Sequence, residues 1–298
     1  FVYYQNWFNV LKQSGGVPGL RYSFAGSYNE AYMVLLAFLT YLPIKPLYSI
    51  KLLSILFDFL GAVCAAFIVM EVNKKSDNCR LYGCITYGIV LFLPTVIMNS
   101  SYWAQCDMIY TTCILSSLYM LIREKHKSSF TLLGLAISFK FQSFLFLPVY
   151  IILYFTNRKI KIHYFLIPVI VYFSFCIPGL IAGRSLKNIL TSPLHSINGI
   201  TTNLTGGFDN FYTLVLTNDT EINRILRKVG ILLTFLLIGL TMLLFLYRKI
   251  SSDRKNIISL FLFYIVLCTY FLPGMHERYL FSGDVLSVIY FIARRNYK

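Results

Sequence analysis

Residues 47–71, LYSIKLLSILFDFLGAVCAAFIVME, form one apolar run whose interior holds only two charged residues, Lys51 and Asp58. The run exceeds the roughly 20 residues that an α-helix needs to cross the hydrocarbon core of a membrane. A basic cluster at 74–80 follows it. An apolar helix that ends at a basic loop is typical of a transmembrane span with that loop on the cytoplasmic side.

The rest of the chain has the same character. Of its 298 residues, 57% are hydrophobic and only 13% are charged, and the mean hydropathy is +0.65. A soluble domain carries about 25% charged residues. The composition therefore predicts an all-α, polytopic transmembrane helix bundle in a cell membrane.

The net charge of +15 is explained by position. More than half of the 27 Lys and Arg lie in five short loops or tails, each at the end of an apolar run. Such clusters set the orientation of a membrane protein and contact anionic lipid headgroups, so membrane lipid is an expected partner and nucleic acid is not. The clusters are Lys74, Lys75 and Arg80; Arg123, Lys125 and Lys127; Arg158, Lys159 and Lys161; Arg248, Lys249, Arg254 and Lys255; and Arg294, Arg295 and Lys298.

Placing these clusters in the cytoplasm predicts a single transmembrane domain over 1–298. Residues 1–46 are expected to be an external segment with interfacial or re-entrant helices, because the apolar run 31–44 is short for a span. Core helices follow over 47–181, an external loop over 182–229 and C-terminal helices over 230–298. Spans are predicted at 47–71, 82–98, 108–122, 164–181, 230–247, 257–272 and 280–293, with two short helices over 129–155.

The external face carries a first polar cluster in SYWAQCDMIY, residues 101–110. Trp103, Gln105 and Asp107 would lie where two helices join in a short turn. Asp107 is equally suited to a structural acid in the first turn of a helix, and Trp103 to an interfacial anchor. Both alternatives stay open.

A second external cluster occurs in FLPGMHERYLF, residues 271–281. His276, Glu277 and Arg278 are three consecutive ionisable residues behind a Pro-Gly break. Arg offers a planar fork that matches phosphate oxygens, and His can donate or accept a proton near neutral pH. The alternative is a solvated turn whose Arg reaches water from an apolar surface.

A third polar group lies in SFKFQSFLFLP, residues 138–148. Lys140 and Gln142 would separate two apolar half-helices, where an ammonium is costly unless it meets an anion or water. The alternative is a lysine that reaches for lipid headgroups. Asp58 is interpreted as a buried structural polar group.

Together these segments resemble the GT-C class of polytopic glycosyltransferases, and among them bacterial relatives of the GPI-anchor mannosyltransferases. The resemblance rests on W-x-Q-x-D, on HERY after a Pro, and on the order of the matching pieces along nearly the whole chain. These pieces are WFNVLKQSGG, IKLLSILFDF, LPTVIMNSSYWAQCD, GLAISFKFQSFLFLP and LPGMHERYLF.

The resemblance implies a GT-C-like helix bundle whose external loops carry the site, and it also implies an activity. Such an enzyme moves a hexose, with mannose as the candidate sugar, from a polyprenyl-phosphate carrier to an extracytoplasmic glycan or lipid-linked acceptor, with inversion. Asp107 is then the candidate catalytic acid, and His276, Arg278 and Lys140 would bind the donor phosphate. Glu277, Gln105, Trp103 and Gln142 would contact the substrate. No cofactor is expected, and no metal ligands are indicated.

The resemblance also implies that the principal base lies early in the first external loop. That acid would precede FVYYQNW, and the sequence given begins at Phe1. Both the acid and a preceding membrane helix are therefore expected upstream of Phe1.

Two alternatives to the transferase remain. A carrier or flippase of lipid-linked glycans would place polar residues through the membrane midplane, often on broken helices. In this sequence, the ionisable groups instead gather at the predicted outer ends of helices. A polysaccharide polymerase would share external Arg and His residues but would use a lipid-diphosphate donor.

Overall fold

A computed structural model describes residues 2–22, 24, 28–191, 204–215, 217–249 and 253–294. Within these ranges the chain is helical and contains no strand, so the all-α prediction is confirmed for the part described. The middle of the predicted external loop 182–229 and two members of the last basic cluster, Arg295 and Lys298, lie outside the described residues.

The two longest α-helices are α3 and α10, with 27 and 28 residues. They are α1 (Val2–Gln13), α2 (Glu30–Leu39), α3 (Pro46–Val72), α4 (Cys79–Leu91), α5 (Pro94–Ile97, continued by a π-turn at Met98–Tyr102), α6 (Asp107–Ile122), α7 (His126–Phe139), α8 (Leu147–Thr156), α9 (Leu166–Ile181), α10 (Thr220–Tyr247), α11 (Arg254–Phe271) and α12 (Phe281–Arg294). Short 3-10 turns lie at Val17–Arg21, Phe141–Phe146, Ile162–Phe165, Phe211–Leu214 and Glu277–Leu280.

Four helices among the described residues are long and apolar enough to cross a membrane: α3, α10, α11, and α9 together with the turn before it. Helix α4 and the segment Pro94–Tyr102 form a fifth candidate, bent by 48°. Several apolar helices that could span a membrane are what a multi-pass membrane protein requires.

Most helix boundaries follow the predicted ones, but α10 is longer than expected. It begins at Thr220, ten residues inside the predicted loop 182–229. Asp219 explains this start, because its side chain accepts hydrogen bonds from the backbone N–H groups of Glu221 and Ile222, as an N-cap residue does.

The loops after α3, α6, α8 and α10 meet at one end of the bundle. Lys159 pairs with Glu124 across two of them, and Arg254 Nη1 lies 3.1 Å from Glu71 Oε1. Arg294 donates to Asn256 at the same end. We call this the basic end, and we call the opposite end, which holds residues 103–107 and 273–279, the site end.

The N-terminal segment packs on the protein. The apolar face of α1, formed by Trp7, Phe8 and Leu11, is buried in the hydrophobic core, where α1 contacts α2 and α3. These three apolar side chains of the N-terminal segment therefore pack against protein. Helix α2 is also mostly buried, so this segment brings loop residues such as Tyr28 against the site end.

Candidate functional site

Asp107 is the first residue of α6 and is completely buried. Asn99, in the π-turn that ends the preceding span, holds it from two sides. The Asn99 Nδ2 amide donates to Asp107 Oδ2 at 2.7 Å, and Asn99 Oδ1 accepts from the Asp107 backbone N–H at 3.3 Å. Because a helix N-terminus also favours negative charge, the carboxylate is fixed as a structural anion.

Lys140 supplies the countercharge. Helix α7 stops at Phe139, and Lys140 adopts an extended backbone (φ −155°, ψ 129°) before the turn at Phe141–Phe146. Its Nζ donates to Asp107 Oδ1, and only 5% of Lys140 is exposed. The predicted break between two half-helices is confirmed, and the ammonium meets an anion inside the protein.

Three aromatic rings surround the ammonium of Lys140. The ring centroids of Tyr28, Tyr110 and Tyr279 lie 5.5, 5.4 and 5.4 Å from Nζ. At this distance the faces of aromatic rings attract a cation. The cage therefore stabilises Lys140 in its charged form beside Asp107.

Arg278 connects the two sequence clusters. Its Nη1 donates to Gln105 Oε1 and, at 3.2 Å, to the Tyr28 hydroxyl. Tyr4 from α1 also donates to Gln105 Oε1, and its hydroxyl lies 2.6 Å from that of Tyr28. Burial raises the pKa of the Tyr28 hydroxyl well above its ordinary value, so Arg278 is bound here by neutral groups.

His276 and Glu277 lie at the edge of this network. Burial, together with the positive charge of Arg278, lowers the pKa of the His276 imidazole. The two residues lie against the external loop, where Gly206 N donates to Met275 O at 2.9 Å and Gly274 N donates to Leu204 O at 2.8 Å. Gly274 has φ +74°, a conformation that glycine adopts without steric cost.

The remaining candidates are placed differently. Gln142 lies near the hydroxyl of Tyr279, at the edge of the network. Trp103 is 44% exposed and stacks edge-on against Tyr102, with no described bond to Gln105 or Arg278. Glu277 is exposed at the surface of the turn. The structure thus brings together Asp107, Lys140, Gln105, Arg278 and Gln142, and leaves Trp103 and Glu277 at the rim.

An apolar groove of about 300 Å³ starts beside this network. It lies between α7, the turn after Lys140 and α9, and its wall includes Phe141, Phe144 and Tyr172. Phe141 directly follows Lys140 in the chain, so the groove borders the turn that begins after that residue. An aliphatic chain fits such a surface through van der Waals contact.

Sequence reasoning missed several members of the network. Asn99 is the second residue of the π-turn, and nothing in the local pattern pairs it with an acid eight residues later. Tyr4, Tyr28 and Tyr110 do not stand out in the sequence, because the chain has 23 tyrosines. A buried ion pair between Glu30 and Arg184, 3.0 Å apart, was also missed, because it joins two loop-flanking residues far apart in the chain.

The arrangement combines a fixed guanidinium, a caged ion pair and an apolar groove. It could hold an anionic group through Arg278 while an attached apolar chain lies in the groove. Among the described residues, no three His, Cys, Asp or Glu side chains gather as a metal ion would require. No protein-family model, no curated protein and no solved structure matches this chain.

Proposed function

We propose that this protein is a membrane glycosyltransferase that takes a hexose, with mannose as the candidate, from a polyprenyl-phosphate carrier. The observation that carries the proposal is the contact of Arg278 with Gln105, because it joins the two polar clusters into one site. When a glycosyl bond to phosphate breaks, negative charge develops on the phosphate oxygens. A fixed guanidinium stabilises that charge through paired, charge-assisted hydrogen bonds.

Arg278 is the better donor-phosphate ligand of the two cations in this network. Its described hydrogen-bond partners, Gln105 and Tyr28, are neutral, so its charge remains available to an anionic ligand. Lys140 is already paired with Asp107. We therefore assign the donor phosphate to Arg278, with His276 beside it at the rim.

Asp107 is assigned a positioning role. Both of its carboxylate oxygens are bound, one by Lys140 and one by Asn99, and the residue has no exposed surface. A general base must come within hydrogen-bond reach of the proton that it removes, and an acceptor hydroxyl has no route to a fully enclosed carboxylate. Asp107 instead fixes Lys140 and the turn that carries Gln105.

The groove beside Phe141 and Phe144 supports a lipid-linked donor. A polyprenyl chain needs an apolar surface close to its phosphate, where it can pack by van der Waals contact as it does among lipid chains. The site end lies opposite the basic end, and basic loops mark the cytoplasmic side. This orientation supports the proposal of an extracytoplasmic active site.

A transfer assay tests the proposal. Membranes that contain the protein are given polyprenyl-monophosphate hexose labelled in the sugar, and, in parallel, the corresponding polyprenyl-diphosphate sugar. We expect label to move to an acceptor only from the monophosphate donor. Transfer from the diphosphate alone would favour the polymerase, and the absence of transfer from either donor would refute the transferase.

One observation favours a carrier of lipid-linked glycans as the second candidate. The Lys140–Asp107 pair lies at a break between two half-helices, which is a feature of transporter binding sites. A carrier would move labelled lipid-linked sugar across a vesicle membrane without releasing the sugar from its lipid. Measuring both transbilayer movement and sugar release in one vesicle preparation separates the two functions.

A further inference from the structure

A second cavity lies at the basic end, far from the network around Arg278. Its volume is about 490 Å³, and it lies among the ends of α3, α6, α8 and α11 and the loops that join α6 to α7, α8 to α9 and α10 to α11. Leu121, Ile122 and Ile257 form part of an apolar wall, and His126, Arg254 and Lys255 contribute polar groups. The cavity therefore combines an apolar wall with basic side chains where helices end.

His126 is the residue that points to a ligand. It begins α7 and is only 8% exposed, yet neither ring nitrogen has a hydrogen-bond partner among the described residues. Burial lowers the pKa of its imidazole, with a smaller opposing effect of Glu124, so the ring is neutral at pH 7 and keeps one N–H donor. A buried polar group without a partner is costly, and turning the ring toward a ligand in this cavity would satisfy it.

The start of α7 offers further donors. No side chain caps this helix, so its first backbone N–H groups lack partners within the helix. A helix N-terminus with free N–H groups favours a bound anion. By contrast, Asp253 caps the neighbouring helix α11, accepting from the Asn256 backbone N–H.

The acids around the cavity are already engaged. Glu124 pairs with Lys159, and Glu71 pairs with both Lys74 and Arg254. Asp253 accepts from the backbone and side chain of Asn256. Within the described part of the chain, Lys255 has no ion-pair partner, so a cation remains to attract an anion into the cavity.

We propose that this cavity binds a phosphate group through His126, the N-terminus of α7 and Lys255, with Arg254 at its edge. The phosphate belongs either to the headgroup of an anionic phospholipid, whose chains would lie along the apolar wall, or to free phosphate. Basic cavities between helices at a membrane surface bind anionic headgroups in this way. The proposal does not depend on sugar transfer at the site end.

Histidine NMR tests it. The purified protein in neutral detergent, with 15N-labelled histidine, is titrated with dihexanoyl phosphatidylglycerol and separately with inorganic phosphate, against sodium chloride at equal ionic strength. The His126 signal is assigned by its loss in His126→Gln. We expect this signal to shift saturably, and Lys255→Ala to weaken the apparent affinity about tenfold, as the loss of a charge-assisted contact does. Lys161→Ala, which removes an exposed basic residue outside the cavity, should leave the affinity unchanged.

Two results would support the site and distinguish its ligand. A saturable shift with phosphatidylglycerol alone identifies a lipid headgroup, whereas a shift with both probes shows that the phosphate group suffices. No saturable shift with either probe would overturn the proposal. Equal weakening by Lys255→Ala and Lys161→Ala would also overturn it, because general surface charge would then account for the binding.

Discussion

The guanidinium of Arg278 donates a hydrogen bond to the side-chain oxygen of Gln105, 173 residues earlier in the chain. This contact joins the turn between α5 and α6 to the turn between α11 and α12. The Tyr28 hydroxyl, from the N-terminal segment, completes the arrangement at 3.2 Å from Arg278. Three separate parts of the sequence therefore orient one positive charge at the site end.

Substitution of Arg278 tests whether that charge binds the donor phosphate. Arg278→Ala should lower the rate of sugar transfer roughly 100-fold or more, the usual cost of losing one preorganised transition-state contact. Arg278→Lys should retain part of the rate, because the charge stays while the planar fork is lost. Initial rates with a polyprenyl-phosphate hexose, normalised to the amount of protein in the membrane, measure both effects.

Arg248→Ala provides the matched control, because Arg248 is an exposed arginine at the basic end. Its rate should equal that of the unaltered protein. Full activity in Arg278→Ala would remove phosphate binding by this residue from the proposed mechanism.

Much of the helical framework could be predicted from the sequence, because strong local signals mark the helix ends. Pro273 and Gly274 follow α11. Residue 274 has a positive φ, which favours glycine, and the sequence has glycine at this position. Lys140 interrupts an apolar run and does separate α7 from α8. The start of α10 was missed because the polar residues around Asp219 suggest a loop. The side chain of Asp219 nevertheless caps the helix that begins at Thr220.

The candidate site was only partly predictable, for a different physical reason. The spacing from Gln105 to Asp107 and the ionisable triplet ending at Arg278 identified two clusters, because charges near hydrocarbon need a function or a partner. Which partner each charge finds depends on how the helices pack. The pairing of Lys140 with Asp107 is therefore visible only in three dimensions, as is the contribution of Tyr28.

Removing one partner of the buried ion pair should destabilise the protein far more than breaking an exposed pair. Lys140→Met leaves the Asp107 carboxylate uncompensated and should destabilise the protein by about 3–5 kcal/mol. Adding Asp107→Asn should recover part of that loss. Thermal unfolding in detergent of the two single variants and the double variant measures the coupling between the residues.

Lys159→Ala is the comparison for that measurement. It breaks the Lys159–Glu124 pair, in which the two side chains are 66% and 62% exposed, and an exposed pair contributes little to stability. Losses that simply add for Lys140→Met and Asp107→Asn would contradict a coupled pair.

His276 should make stability depend on pH on the acid side of neutrality. Its folded-state pKa lies below the ordinary value of 6.5 because of burial and the charge of Arg278. As the pH falls below about 6.5, the unfolded chain therefore binds more protons at this residue than the folded protein, and stability decreases. Unfolding temperatures between pH 7.5 and 5.5 should fall less steeply for His276→Gln. An imidazole titration midpoint above 6.5, assigned by the same variant, would contradict this account.

The crossing of α7 and α9 depends on the absence of a side chain at Gly134. A Cβ atom there would lie 2.6 Å from Pro168 Cα and 2.9 Å from Val171 Cβ, closer than such atoms approach. Gly134→Ala should therefore separate the helices and destabilise the protein by about 1–3 kcal/mol, although alanine by itself favours a helix by up to about 1 kcal/mol.

Gly239→Ala isolates that propensity effect, because a Cβ at position 239 in α10 would meet no neighbouring atom within 4 Å. Thermal unfolding should show Gly239→Ala unchanged or slightly stabilised and Gly134→Ala clearly destabilised. Helix α7 leads directly into Lys140, so a separation of α7 from α9 should also disturb the ion pair and lower sugar transfer. A loss of activity in parallel with stability would connect close packing of these helices to the geometry of the site. Intact sugar transfer would mean that the ion pair tolerates movement of its supporting helix.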